Sequence, residues 1–191
     1  GEAAFSILLD PSKRGMPYET ELSFSEVNFQ QFLEFISSNV AVKVSGQLST
    51  QAHFKADLST NFFSSAHGEG MDRIEEGQLA YLPLFEGFTK VVRKVIPTFK
   101  AFSITSLSSD FTLTDGVVSS ENAHFKGDIL SANGRGSYSE DTGFDAYIQA
   151  QVLSDGKISK VVRAITDPLM KLLEVKLEGT LSNPSWHLDK F

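Results

Sequence analysis

Four histidines, His53, His67, His124 and His187, are the side chains of this chain best suited to proton transfer or metal ligation near neutral pH. All four fall in strand-like or loop sequence, and none stands at the short spacing from another that zinc sites usually show. On the residues alone, a composite site drawn together in space from His53, His67 or His124 stays open. Glu75-Glu76 and Glu140-Asp141 set carboxylates side by side, but adjacent residues of a strand or turn point in different directions, so solvated charge explains them better than paired acid–base work. Gly68-Glu69-Gly70 and Gly134-Arg135-Gly136 lack the third glycine and the following helix that would cradle a phosphate, and each reads as a turn or a flat strand position. There is no Gly-x-Ser-x-Gly elbow, no His-Glu-x-x-His pair and no Walker loop. The residues therefore predict no catalytic, cofactor-binding or metal-ligating set, and a protein that is not an enzyme.

Composition points the same way. Phenylalanine occurs 16 times against 4 tyrosines and one tryptophan, and it offers a large apolar surface without a polar tip. That suits a core, or an apolar binding surface, better than a wet interface. The net charge of −7, with lysines and arginines dispersed, excludes nucleic acid as an expected partner and disfavours anionic headgroups. With no cysteine there is no disulfide framework, thiolate metal site or thiol nucleophile, a usage compatible with a bacterial envelope protein. No run reaches the roughly 18 apolar residues of a membrane span.

The elements that must position any site are mostly strands. Ala3 to Leu9 and Tyr18 to Val27 read as strands around a loop marked by Pro11, Gly15 and Pro17. Asn28 stands as an N-cap before Phe29, Phe32, Leu33 and Ile36, an apolar stripe at helical spacing. Ala41 to Leu58 alternates again, with Val42, Val44 and Leu48 on one face and Gly46 marking a bulge or a close backbone approach. His67 to Ala80 is expected to be a strand pair turning near Glu76-Gly77. Leu84, Phe88, Val91, Val92 and Val95 then predict a helix stopped by Pro97. Phe102 to Val152 reads as three or four antiparallel strands, with turns at Asp115-Gly116, Asn133-Gly134 and Thr142-Gly143. A last helix follows Ile158, Val161, Val162, Ile165, Leu169 and Leu172, kinked by Pro168, and a last strand runs from Glu174 to Leu181. Trp186 is expected to pack over the edge of the sheet. The octamers Val42 to Ser49 and Val175 to Ser182 echo one another in their apolar, Lys, Gly and Ser positions, suggesting a helix-then-strand unit used twice. The predicted fold class is α+β, mainly antiparallel β: a curved meander with two or three amphipathic helices packed on it, forming a single module over residues 1–191.

Three segments carry a family resemblance. Phe102 to Val118, which includes Asp115-Gly116-Val117, Phe125 to Val152, with its Gly134-x-Gly136, and Val175 to Leu188, with four residues between Gly179 and Pro184, together resemble the carboxy-terminal region of the AsmA-like proteins of the bacterial envelope. Leu22 to Ile36 and Gly70 to Phe88 are similar in their order of strand and short helix. The resemblance implies a soluble fragment of a larger protein that lies in the periplasm and is tethered to the inner membrane by an amino-terminal anchor. It implies a role in outer-membrane biogenesis and phospholipid transport, by kinship with bridge-like lipid carriers, and it brings no catalytic residues.

On a curved sheet with one apolar face, an acyl chain gains about 0.8 kcal/mol per buried CH₂. The candidate lining residues are Phe111, Leu113, Phe125, Ile129, Phe144 and Ile148, at alternating positions of the meander strands. Two arrangements are open: a trough that takes phospholipid or fatty acid, or a core closed by the helices, with the sheet edge pairing to other parts of the parent chain.

Overall fold

The computed structural model describes residues 1–36, 44–79, 83–95, 103–128, 130–152 and 172–189. Ten strands form one antiparallel sheet in strictly sequential order: β1 (Glu2–Leu9), β2 (Pro17–Asn28), β3 (Gln47–Asp57), β4 (His67–Glu75), β5 (Ile104–Thr114), β6 (Val117–Gly127), β7 (Leu130–Ser139), β8 (Gly143–Val152), β9 (Leu172–Gly179) and β10 (Pro184–Leu188). The curved sheet does not close on itself, so β1 and β10 are its two edges. Among the described residues three short helices lie between the strands: α1 (Phe29–Ile36), α2 (Phe62–Ser65) and α3 (Pro83–Val95). The mainly antiparallel meander with a few helices is thus the architecture found.

Period-two alternation decides which residues share a face. On β3, Leu48, Ala52, Phe54 and Ala56 are buried, whereas Gln51 and Lys55 between them are exposed. The register carries this pattern to its neighbours, setting Leu22 beside Ala52, Ile74 beside Leu48 and Leu107 beside Ile74. Every strand therefore contributes to one apolar face, and the helices dock on it.

Each helix has a local cause. The Asn28 side chain accepts a hydrogen bond from the Gln31 amide at 3.0 Å and caps α1, as its sequence position predicts. Phe29 is buried, and Phe32 meets Phe24 of β2 edge-on at 5.5 Å. Along α3, Phe85, Phe88, Val91 and Val92 face the sheet, while Lys90 and Glu86 pair at 2.7 Å on the solvent side. Helix α2, only four residues long, was not anticipated; its Asn61 cap accepts from the Phe63 amide at 2.9 Å.

Several boundaries differ from the sequence expectation. Residues after Glu75 do not turn back into a second strand: the Gly77 and Leu79 amides bond to Thr105 and Ile104, so the chain runs on beside β5. Asn133-Gly134 is not a turn but the middle of β7, paired with Gln149 and Ile148 of β8. Close approach explains that glycine, since a Cβ there would lie 3.3 Å from Ile148 and 3.5 Å from Phe125. Asp115-Gly116 is the tight turn expected, both residues having positive φ. The chain after Gly179 forms a further strand, β10, and Leu172 opens β9 instead of ending a helix. The rest of that expected helix, with Pro168, lies outside the described residues, as do Val42 and Pro97. Of the two echoing octamers, the first has Gly46 ahead of β3 and the second has Gly179 at the end of β9; the helix expected before the second lies outside the described residues.

Candidate functional site

Two buried clusters divide the apolar face. The larger joins α1 and α3 to strands from β3 to β10 and includes Leu48, Ile74, Phe88, Leu130, Ile148, Val175 and Trp186. The smaller, at the α2 end, is built on Ala52, Phe54, Ala56, Ala66 and Leu113.

Between them runs a row of polar side chains that alternation alone did not single out. Thr50 and Asp72 are cross-strand partners, Asp72 stands opposite Ser109, and the Ser109 and Ser120 hydroxyls are 2.7 Å apart. Asp72 occupies the same face as Gly68, Gly70 and Ile74, so burial pushes its carboxyl above the usual range, and the Thr50 hydroxyl, donating at 2.8 Å, only partly offsets this. The signal lay in the sequence, as an acid in phase with Ile74.

The expected lining residues divide between the clusters. Phe111 and Leu113 belong to the smaller one, where Phe111 stacks on Phe54 at 6.3 Å across the glycines of β4. A Cβ on Gly70 would come within 2.6 Å of the Phe111 ring, so the two rings meet because the strand between them carries no side chain there. Phe125, Phe144 and Ile148 belong to the larger cluster. Ile129 lies outside the described residues.

Helix α3 fills the surface over Phe125 and Ile148. Phe85 meets Phe125 edge-on at 5.9 Å, and the space left among Phe85, Phe125, Ile148 and Trp186 is about 20 Å³, room for about one water. At that end Ile148 is buried and Phe125 half-buried beneath the helix. Elsewhere the face is less covered: Leu22, Phe24, Phe111, Val118, Tyr138 and Phe144 are half-buried, and Phe5 and Ile7 of β1 are 75% and 61% exposed. Phe144 and Tyr138 pair at 4.6 Å within this open part.

A broad groove of about 840 Å³ lies on the opposite, polar face, bordered by Glu21, Gln51, His53, Glu69 and Asp110. Its groups do not converge as a catalytic set. His53 lies 3.6 Å from Glu19, His67 3.6 Å from Asp115, His187 3.7 Å from Glu178, and the His124 ring bonds to Asn133 at 2.6 Å. Each histidine thus has its own partner. Among the described residues no group of three or more His, Asp or Glu is placed to hold a metal ion, and no helix is long and apolar enough to cross a membrane. Lys176 is held charged between Glu178 at 2.8 Å and Asp145 at 3.3 Å, which raise its pKa, while its ammonium sits over the Tyr147 ring.

Compared with protein-family models, with curated proteins and with solved structures, the chain matches none.

Proposed function

We propose that this chain is a non-catalytic module that holds acyl chains of phospholipid or fatty acid against its apolar sheet face. In this reading it is part of an AsmA-like periplasmic protein, tethered to the inner membrane and serving phospholipid transport in outer-membrane biogenesis. The observation that carries the proposal is the open part of the apolar face, where Phe5, Ile7, Phe24, Phe111 and Phe144 remain wholly or partly uncovered on a sheet that does not close. Exposed apolar surface contiguous over several strands marks an interaction site on a water-soluble face. Aliphatic chains suit it, since its polar groups are few and pair across strands, Thr50 with Asp72 and Ser109 with Ser120.

Native mass spectrometry of gently purified protein, followed by extraction of whatever is bound, tests the reading. A stoichiometric phospholipid or fatty acid is expected. Phe111→Asp and Phe144→Asp, each checked for a retained β-sheet spectrum, should weaken fatty-acid binding about tenfold or more, the equivalent of one apolar side chain lost from the contact. The polar-face variant Gln51→Glu should leave it unchanged. Protein that carries no lipid and refuses added lipid after delipidation overturns the proposal.

A further inference from the structure

From β1 to β5 the register gives the apolar face a simple make-up. The strand residues it sets there are apolar, glycine or hydroxyl-bearing, apart from Asp72. Met71 and Arg73, its neighbours along β4, point to the polar face, and so does Asp110, which stands opposite Met71.

Asp72 is an acid without a counterion. Thr50 donates to its Oδ1 at 2.8 Å, and among the described residues no other donor reaches the carboxylate and no lysine, arginine or histidine pairs with it. Its Oδ2 nonetheless opens to the surface, because no buried side-chain oxygen among the described residues lacks a partner. Ser109, its cross-strand partner on β5, sets a half-buried hydroxyl beside it on the same face. A charge placed among apolar groups with one hydrogen bond costs stability. Asparagine would fill the same space and still accept from Thr50, so the fold has no use for the charge itself. The surface around it is apolar and incompletely covered: Phe24 lies beyond Thr50 in the same cross-strand row, and Leu22 and Phe111 lie in the next row, all three half-buried.

We propose that Asp72 is the headgroup site of the apolar face and selects lipids that carry a primary ammonium. The inference rests on the acyl-binding reading and adds which end-group is held. An ammonium brings the two things that Oδ2 lacks, a positive charge and a hydrogen-bond donor, and the Ser109 hydroxyl oxygen can accept a second of its N–H groups. A carboxylate or phosphate here meets like charge, and an alcohol brings a donor without charge. A metal ion would find one carboxylate where it needs several oxygen ligands. A free polyamine would leave Phe24, Leu22 and Phe111 bare, so acid and apolar surface together call for one amphiphilic ligand.

Calorimetry at neutral pH with decylamine, decanol and decanoate, each below its micelle concentration, tests this. Decylamine should bind about tenfold or more tighter than decanol, as a charge-assisted hydrogen bond at a half-buried acid implies, with decanoate the weakest of the three. Asp72→Asn should abolish the preference for the amine and leave the affinity for decanol unchanged. Glu69→Gln removes the same charge from the polar face and should keep the preference, which separates local pairing from attraction by the net charge of −7. Equal binding of amine and alcohol by the wild type, or a preference that survives Asp72→Asn, overturns this inference and leaves the acyl-binding reading standing. Protein that binds none of the three overturns both.

Discussion

Asp72 is an acid placed on the apolar face of the sheet, where burial works against its charge. Its carboxyl lies half-buried on the apolar face of β4, and burial raises its pKa above the ordinary 3.8. A carboxyl raised on folding contributes stability that is fully present below its unfolded value and is lost as pH rises through its folded value. Wild-type protein should therefore lose stability relative to Asp72→Asn as pH climbs through the acid range, and the variant should melt at the higher temperature at neutral pH. The gap should narrow below about pH 3.8, where both side chains are neutral. Thermal midpoints of the pair across pH decide it, and a variant that is less stable at pH 7 would show the charged carboxylate to be favoured where it stands. The acid was readable in the sequence by its phase with Ile74, but its neighbours Thr50, Ser109 and Ser120 come from three other strands, and only the register brings them together.

Among the elements, α3 and β10 form a joint that local propensity misjudges. Glycine inside a helix ordinarily costs about 1 kcal/mol against alanine. Gly87 is an exception, because a Cβ there would lie 2.6 Å from Trp186 Cδ1, against an indole fixed by its bond to Leu84. Gly87→Ala should thus destabilise the protein by about 1–3 kcal/mol, as overpacking does, rather than stabilise it. Trp186→Phe, losing the indole donor, should cost about 0.5–1.5 kcal/mol, and the double variant should cost less than the sum because the smaller ring makes room. Urea unfolding of the three proteins measures all of this. The helical stripe of α3 was plain in its sequence, whereas β10 was not: five residues headed by proline carry too little alternation to announce a strand, and its partner, β9, supplies the pairing.

For the whole molecule, charge and shape make opposite demands on a lipid surface. The chain carries a net charge of −7, so collision with anionic vesicles is opposed by repulsion, while the acyl-binding proposal needs no headgroup charge. Uptake of a labelled fatty acid or phospholipid should be faster from zwitterionic vesicles than from anionic ones at low salt, and the difference should shrink as salt shortens the Debye length. Faster uptake from anionic vesicles would point to a local basic surface that overrides the net charge.

Alternation, helix spacing and turn chemistry are local properties, and they determined most of this fold in advance. The strands β2, β3, β5 and β8, the stripes of α1 and α3, and the Asp115-Gly116 turn all follow from residues within about a dozen positions of one another. Tertiary structure decided what depends on a partner distant in sequence. It turned Asn133-Gly134 from a hairpin signal into a strand centre, since two neighbouring strands fill the space that the glycine leaves. It also decided how the apolar face is shared: Ile148 is buried beneath α3, whereas Phe125, Phe111 and Phe144 stay half-buried and the edge residue Phe5 keeps most of its surface exposed. A sequence shows that a face is apolar, because side chains alternate. Whether that face is covered depends on where a helix many residues away comes to rest.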